Sequence, residues 1–349
     1  METGIVLLNF GEPATPDPDA VEEYLTRIFF ANASLEGDTT EEAVRKRSRE
    51  LAKRRAPDLI EEYEAIGGSP LNEQSRKQAE QLEQELASRG FSIETYVAMQ
   101  FTEPYIEDTA RSIRDNDIDR VIGLPIYPLC GPSTTVAALE ELATALDDQG
   151  FDGEYHEISG WHRHPLYNRI RAENISSYVE KENIDLRADE TTLVFSAHGT
   201  PQHYLEEGSR YDIYVDEYCE TMSSLLQLSD YALGFQNHEN RDIPWTEPEI
   251  ETVIENLDCT EVVVEPISFM HEQSETLSEL DIELQEKAKS NELEFNRVPI
   301  PHDDPRFSIL LADLVEPFIT EIDPSYYQYR QCVCRNSAQT FCLNAPRES

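Results

Sequence analysis

Short apolar runs recur along the chain in two series. The first comprises Gly4–Phe10, Ile93–Phe101, Arg120–Tyr127 and Glu154–Ile158; the second comprises Thr191–Ala197, Asp230–Gln236, Glu261–Phe269 and Glu294–Ile300. Their length and their β-branched and aromatic content predict strands. Between them the apolar spacing changes to threes and fours, as in Asn72–Arg89, where Ala79, Leu82 and Leu86 fall on one face of a helix. Strands alternating with helices predict an α/β protein with mostly parallel sheets flanked by helices. Val262–Val264 is apolar without alternation, as a strand covered on both faces requires.

The two series resemble each other in detail. Gly4–Pro13 (GIVLLNFGEP) overlays Thr192–Pro201 (TLVFSAHGTP), matching Gly11 with Gly199 and Pro13 with Pro201. Leu124–Thr135 (LPIYPLCGPSTT) overlays Glu265–Thr276 (EPISFMHEQSET), matching Pro125 with Pro266 and Ser133 with Ser274. The expectation is two flavodoxin- or Rossmann-like lobes related by pseudo-symmetry, each with a four-stranded, mostly parallel sheet. Residues 1–158 form the first lobe, 159–323 the second, and 324–349 a cysteine-containing tail. In open α/β sheets ligands sit outside the carboxyl ends of the strands, so the substrate is expected in the cleft between lobes.

Two constellations stand at that rim in the second lobe. His198 follows the buried run Leu193–Ala197 and precedes the turn Gly199-Thr200-Pro201, a position suited to a base or a metal ligand, or to capping the next helix. Glu275, Glu279 and Glu283 recur every fourth residue after the third strand of the lobe, with Asp281 on the flank and Leu277, Leu280 and Leu284 directed elsewhere. On an α-helix they make one acidic stripe, whose like charges repel. A solvated stripe is the ordinary outcome in an acidic chain. A stripe starting at a cleft can also conduct protons or hard cations, for which oxygen ligands are suited.

Charge narrows the partners. The 28 Lys and Arg against 70 Asp and Glu leave a formal charge of −42, which disfavours nucleic acid or an anionic membrane as the main partner. Only six of the basic residues are Lys, and the acid is spread rather than gathered in calcium-loop spacing. Such a chain suits concentrated salt, where screening removes much of the self-repulsion. There is no basic-then-apolar leader and no apolar run of membrane-spanning length. A soluble cytoplasmic protein is expected, with peripheral membrane contact left open. Six cysteines in that compartment are not expected to form disulfides; Cys219 and Cys259 read as structural.

Several segments resemble the ferrochelatase family: IGGSPLNEQSRKQAEQL at Ile66–Leu82, LVFSAHGTP, LGFQ followed by Trp245 and Pro248, and PISFMHEQSETLSELDIEL. The opening LLNFGEP and the Tyr-Pro…Ser-Thr-Thr of the first lobe are similar as well, in consistent order from Gly4 to Ile322. The resemblance implies an enzyme that inserts Fe²⁺ into protoporphyrin IX to give haem b, releasing two protons. His198 and Glu275 are then the catalytic pair on opposite faces of the ring. His198, Glu275, Glu279 and Glu283 are the candidate metal ligands, and Phe29, Phe30, Phe101 and Trp245 the candidate porphyrin contacts. The chain departs from the family pattern at Glu272-Gln273-Ser274-Glu275, where Asp-His-x-Glu is common, unless His271 substitutes; Gln100 stands where Arg is common.

Some members of the family hold a [2Fe–2S] cluster on four cysteines, a set that Cys130, Cys332, Cys334 and Cys342 could supply. A zinc site or a loose reactive tail fits the same residues. Other readings are a coproporphyrin III ferrochelatase, a cobalt or iron sirohydrochlorin chelatase, and a haem or porphyrin carrier. A two-lobed export-dependent receptor lacks its leader.

Overall fold

The computed structural model describes residues 1–33, 40–238, 243–320 and 322–345. Strands β1 (Thr3–Asn9), β2 (Glu94–Met99), β3 (Arg120–Pro125) and β4 (Glu154–Ile158) pair in parallel in the order β2-β1-β3-β4. Strands β5 (Thr191–His198), β6 (Ala232–Gln236), β7 (Glu261–Pro266) and β8 (Glu294–Arg297) repeat that order as β6-β5-β7-β8. Both sheets therefore have a crevice between their first and third strands, where successive connections leave in opposite directions. In the second sheet that crevice lies between β5 and β7.

The helices that place the site are α1 (Pro18–Ala31), α2 (Glu41–Ile66), α3 (Leu71–Ser88), α4 (Ile106–Asp115), α5 (Ala137–Asp148), α6 (Pro165–Glu182), α7 (Gln202–Glu206), α8 (Tyr211–Leu226), α9 (Ile250–Glu255), α10 (Gln285–Ser290) and α11 (Arg306–Ile319). Asp17 opens α1 by accepting from the Ala20 N–H at 3.0 Å, with Pro18 in the first turn. Thr40 opens α2 in the same way, and Gly67 ends it at φ 78°. The two helices form a hairpin, and α2 packs against the segment Glu275–Leu284.

That segment is wound as a π-helix rather than the α-helix its spacing predicts. A shorter π turn, Pro132–Val136, follows β3 at the pseudo-equivalent place and leads into α5. Such turns are uncommon and cluster at functional sites.

The lobes share one continuous core. Ile5, Leu7 and Ile122 of the first sheet and Phe195, Ala197 and Val263 of the second pack with Trp161, Tyr167, Tyr218, Phe307 and Leu310. Helix α11, expected with the second lobe, lies against α3 of the first, where Arg89 Nη1 reaches both Asp313 and Glu316 at 2.7 Å. The tail also returns to the first lobe. Strand β10 (Thr340–Cys342) adds in parallel to β4, and β9 (Arg330–Gln331) pairs antiparallel with β10. Glu157 of β4 is fully buried and holds this tail, accepting from Arg335 Nε at 2.7 Å, from Arg335 Nη2 at 2.9 Å and from the Thr340 hydroxyl.

Candidate active site

His198 is the last residue of β5 and is half-buried. Its backbone is held on both sides: its N–H donates to Ser268 Oγ at 2.9 Å, and the Tyr211 hydroxyl donates to its carbonyl at 2.9 Å. Its Nδ1 lies 2.7 Å from the Gly199 carbonyl, which can only accept, so Nδ1 carries the proton and Nε2 the lone pair. Burial pushes the imidazole below its ordinary value, partly offset by that carbonyl. Gly199 is required by close approach, because a Cβ there would stand 1.8 Å from Asn237 Oδ1.

The loop carrying Ser268 is stapled from beneath. Arg171 of α6, fully buried, donates to Glu265 Oε1 from Nε at 2.8 Å and also from Nη2, to the Pro266 carbonyl at 2.6 Å and to the Phe269 carbonyl at 3.2 Å. Burial dominates at Glu265 and raises it to about 7 although Arg171 opposes the shift.

Glu275 opens the π-helix beyond this loop. Gln236, paired with His198 across β5 and β6, donates from Nε2 to the Glu275 carbonyl at 3.0 Å and to Glu279 Oε2 at 2.9 Å. One side chain thus ties the histidine strand to the carboxylate helix. Glu283 is exposed and Glu279 and Glu275 are half-buried, so the row runs inward from solvent. Burial raises Glu279 to about 7 and Glu275 well above its ordinary range, where Glu12 and Glu279 add repulsion. Glu283 is raised chiefly by burial and by Glu62.

The row has an inner member that the sequence reading did not single out. Glu12, in the loop after β1 and 1 % exposed, accepts from the Ser274 N–H at 3.0 Å, from Ser69 Oγ at 2.5 Å and from Ser274 Oγ. It was one acid among 70. The available signal was its place between Gly11 and Pro13, which repeats the Gly199-Thr200-Pro201 turn of the histidine.

The aromatic candidates separate. His198 makes edge contacts with His238 at 5.2 Å and Phe269 at 6.3 Å, and His238 continues to Trp245 at 5.5 Å. Among the described residues Trp245 Nε1 is buried without a hydrogen-bond partner. Phe29 and Phe30 lie half-buried on α1, the Phe30 ring capped by the Arg45 guanidinium at 4.5 Å. Phe101 is 6 % exposed and packs in the apolar cluster below α1 and α2, 4.4 Å from Phe10. Gln100 is buried with Oε1 unpartnered. His271 is buried, with Nε2 making no hydrogen bond among the described residues. Burial pushes it down to about 3, and its Nδ1 already lies 3.2 Å from Asn9 Nδ2.

The four tail-associated cysteines come together. Cys130, Cys332 and Cys342 are buried, Cys334 is partly so, and all are free thiols. Hydrogen bonds from the thiols of Cys130, Cys334 and Cys342 hold Cys332 far below the usual thiol range, while Cys130 and Cys342, as its donors, are raised. Cys332 Sγ also receives Ser159 Oγ at 3.2 Å and the Cys334 N–H at 3.4 Å, and Tyr214 Oη lies 3.5 Å from Cys334 Sγ. Cys219 is buried in α8, and Cys259 is half-buried in a separate cluster. Among the described residues no three His, Cys, Asp or Glu side chains are arranged to hold a metal ion, and no helix is long and apolar enough to cross a membrane.

The chain thus has two parallel-sheet lobes with a rim histidine and an inward row of carboxylates at one switch point. Its fold is similar to that of SirB from Bacillus subtilis with Fe³⁺, with a TM-score of 0.51, 10% identity and coverage of 93% of this chain and 99% of that one. The chain belongs to the ferrochelatase family, whose sequence profile matches residues 2–318. It is 31% identical over 325 residues to the ferrochelatase of Geotalea uraniireducens, covering 91% of this chain and 98% of that protein. It is 33% identical over 322 residues to that of Aquifex aeolicus, covering 90% and 99%. It is an enzyme of haem biosynthesis that inserts iron into a porphyrin, with Fe²⁺ as a substrate.

Proposed function

We propose that His198 takes up pyrrole protons while Glu283, Glu279 and Glu275 bring iron in or carry protons out. Insertion releases two ring protons, so a base must reach the ring nitrogens and Fe²⁺ must exchange water for protein ligands. Burial favours the neutral imidazole, which can accept, and the bond to Gly199 leaves Nε2 as its free lone pair. The carboxylates supply oxygen donors on a path that starts in solvent. The observation that carries the reading is the single residue Gln236, which joins the histidine strand to this row.

Protoporphyrin IX is the substrate we favour over coproporphyrin III, since two propionates meet less repulsion than four on a chain of formal charge −42. Phe29, Phe30 and Trp245 would grip the flat ring, with Phe101 backing them from the core. The same charge supports a cytoplasmic enzyme adapted to salt, touching membranes at most peripherally. Cys130, Cys332, Cys334 and Cys342 fit a [2Fe–2S] cluster: four buried or partly buried sulfurs converge, and N–H and O–H donors already point at two of them. Such a cluster supplies one-electron chemistry and cross-links the tail to the first lobe. The protein residues would hold the tail in either state through Glu157.

The test is anaerobic chelation in molar salt, following loss of free-porphyrin fluorescence with Fe²⁺ and either protoporphyrin IX or coproporphyrin III. Catalysed loss with protoporphyrin IX by the wild type, abolished in His198→Ala with porphyrin binding retained, is the expected result. Turnover by His198→Ala overturns the assignment, and a preference for coproporphyrin III overturns the substrate.

A further inference from the structure

We infer that Glu12 and Glu275, one from each lobe, form an inner holding site for a divalent cation at the end of the carboxylate row. The inference rests on the reading that this row serves the iron. Ser274 Oγ stands within hydrogen-bond reach of Glu12 Oε1 and, at 3.1 Å, of Glu275 Oε2. A hydroxyl has one hydrogen to give, so it cannot satisfy both carboxylates. Among the described residues neither the buried Glu12 nor the half-buried Glu275 forms an ion pair with Lys or Arg, while the other buried carboxylates Glu157, Glu265 and Glu272 each have an arginine. A buried carboxylate without a basic partner is neutralised by taking up a proton or by binding a metal ion that displaces it.

The surroundings supply further oxygen. Tyr63 of α2 is fully buried, and its hydroxyl, which makes no well-formed hydrogen bond among the described residues, faces Glu12 with Tyr24 beside it. The Tyr127 hydroxyl is buried beside the Phe10 backbone and within electrostatic reach of Glu275. Two carboxylates, a serine hydroxyl and two phenols make a hard, all-oxygen environment, completed by water as divalent cations commonly require. Its two halves come from opposite lobes, so the site is complete only where the two lobes meet.

The test uses the full chain without porphyrin in molar salt, where exposed carboxylates are screened. Mn²⁺ alone is titrated and the free ion counted by its electron paramagnetic resonance signal, with Fe²⁺ as competitor. The wild type should hold one Mn²⁺ above background, and Glu12→Gln and Glu275→Gln should each weaken it by roughly tenfold or more, the loss of one charged ligand. Glu12→Asp keeps the charge and should recover part of the affinity, which a purely structural role would not predict. Far-ultraviolet circular dichroism establishes that each variant is folded. Equal Mn²⁺ affinity in Glu12→Gln and wild type, or no bound Mn²⁺ in wild type, overturns this site alone. If Glu275→Gln chelates iron as well as wild type, the reading of the row falls with it.

Discussion

Replacing Arg171 with Met should test how the site is held. The change strands Glu265, fully buried, and leaves the Pro266 and Phe269 carbonyls without their donor. Removing one partner of a buried ion pair costs about 3–5 kcal/mol, which for a chain of 349 residues corresponds to a fall of roughly 4–7 °C in thermal midpoint. Replacing both partners, as in Arg171→Met with Glu265→Met, removes the stranded charge and should recover only the part of the loss due to Glu265, since the two orphaned carbonyls still cost about 1–3 kcal/mol each. Because the loop carries Ser268, which fixes the His198 backbone, kcat in the double variant should still fall about tenfold with KM for porphyrin nearly unchanged. Glu265 adds a pH signature. Its folded value, about 7, exceeds the ordinary 4.5, so the folded protein binds the extra proton and stability declines as pH rises through that interval. Without Arg171 the carboxyl rises further, so the gap between wild type and Arg171→Met should widen above pH 7. Denaturant midpoints at pH 6 and 8, with steady-state kinetics on the same preparations, measure both effects. A single variant within about 1 kcal/mol of wild type refutes the staple. Full recovery of kcat in the double variant refutes the link to His198.

Three further outcomes are expected. Glu12, Glu275, Glu279 and Glu283 are all raised, burial being the first cause, so folding binds protons and urea midpoints should increase as pH falls from about 7 toward 5; Glu279→Gln should flatten that slope. Moving from molar salt to about 10 mM lengthens the screening distance from about 3 to about 30 Å, and with a formal charge of −42 the thermal midpoint should fall steeply; an unchanged midpoint would remove the salt-adaptation reading. Gly199→Ala places a Cβ against Asn237 Oδ1 and the Gln236 carbonyl. It should cost about 1–3 kcal/mol in a calorimetric scan and depress kcat by displacing the histidine turn.

The inner strands β1, β3, β5 and β7 were legible as largely buried, mostly apolar runs, while β2, β4, β6 and β8 are partly exposed and were legible from shorter mixed runs placed between helical patterns. Their ends were less so: β7 stops at Pro266 rather than reaching Phe269, since Pro has no N–H for the ladder. Strands β9 and β10 have two and three residues, too few to show a period, and exist through pairing with β4. The four-residue spacing of Glu275, Glu279 and Glu283 was visible, but it does not distinguish an α-helix from the π-helix observed. The place of His198 at the end of a strand was legible from the turn that follows it. Glu12 and Arg171 were not, because their partners, Ser274 and Glu265, lie far away in sequence and only the fold brings them together.

The late arrival of β10 on β4 gives Glu157 two successive duties. While a chain grows from its N-terminus, β4 is complete long before residues 340–342 are made, and its outer edge stands open. A charged side chain on an open edge discourages neighbouring nascent chains from adding a strand there. When the tail emerges, Arg335 neutralises that charge and Thr340 covers it. The residue that guards the edge during synthesis becomes the latch that admits only the protein's own last strand.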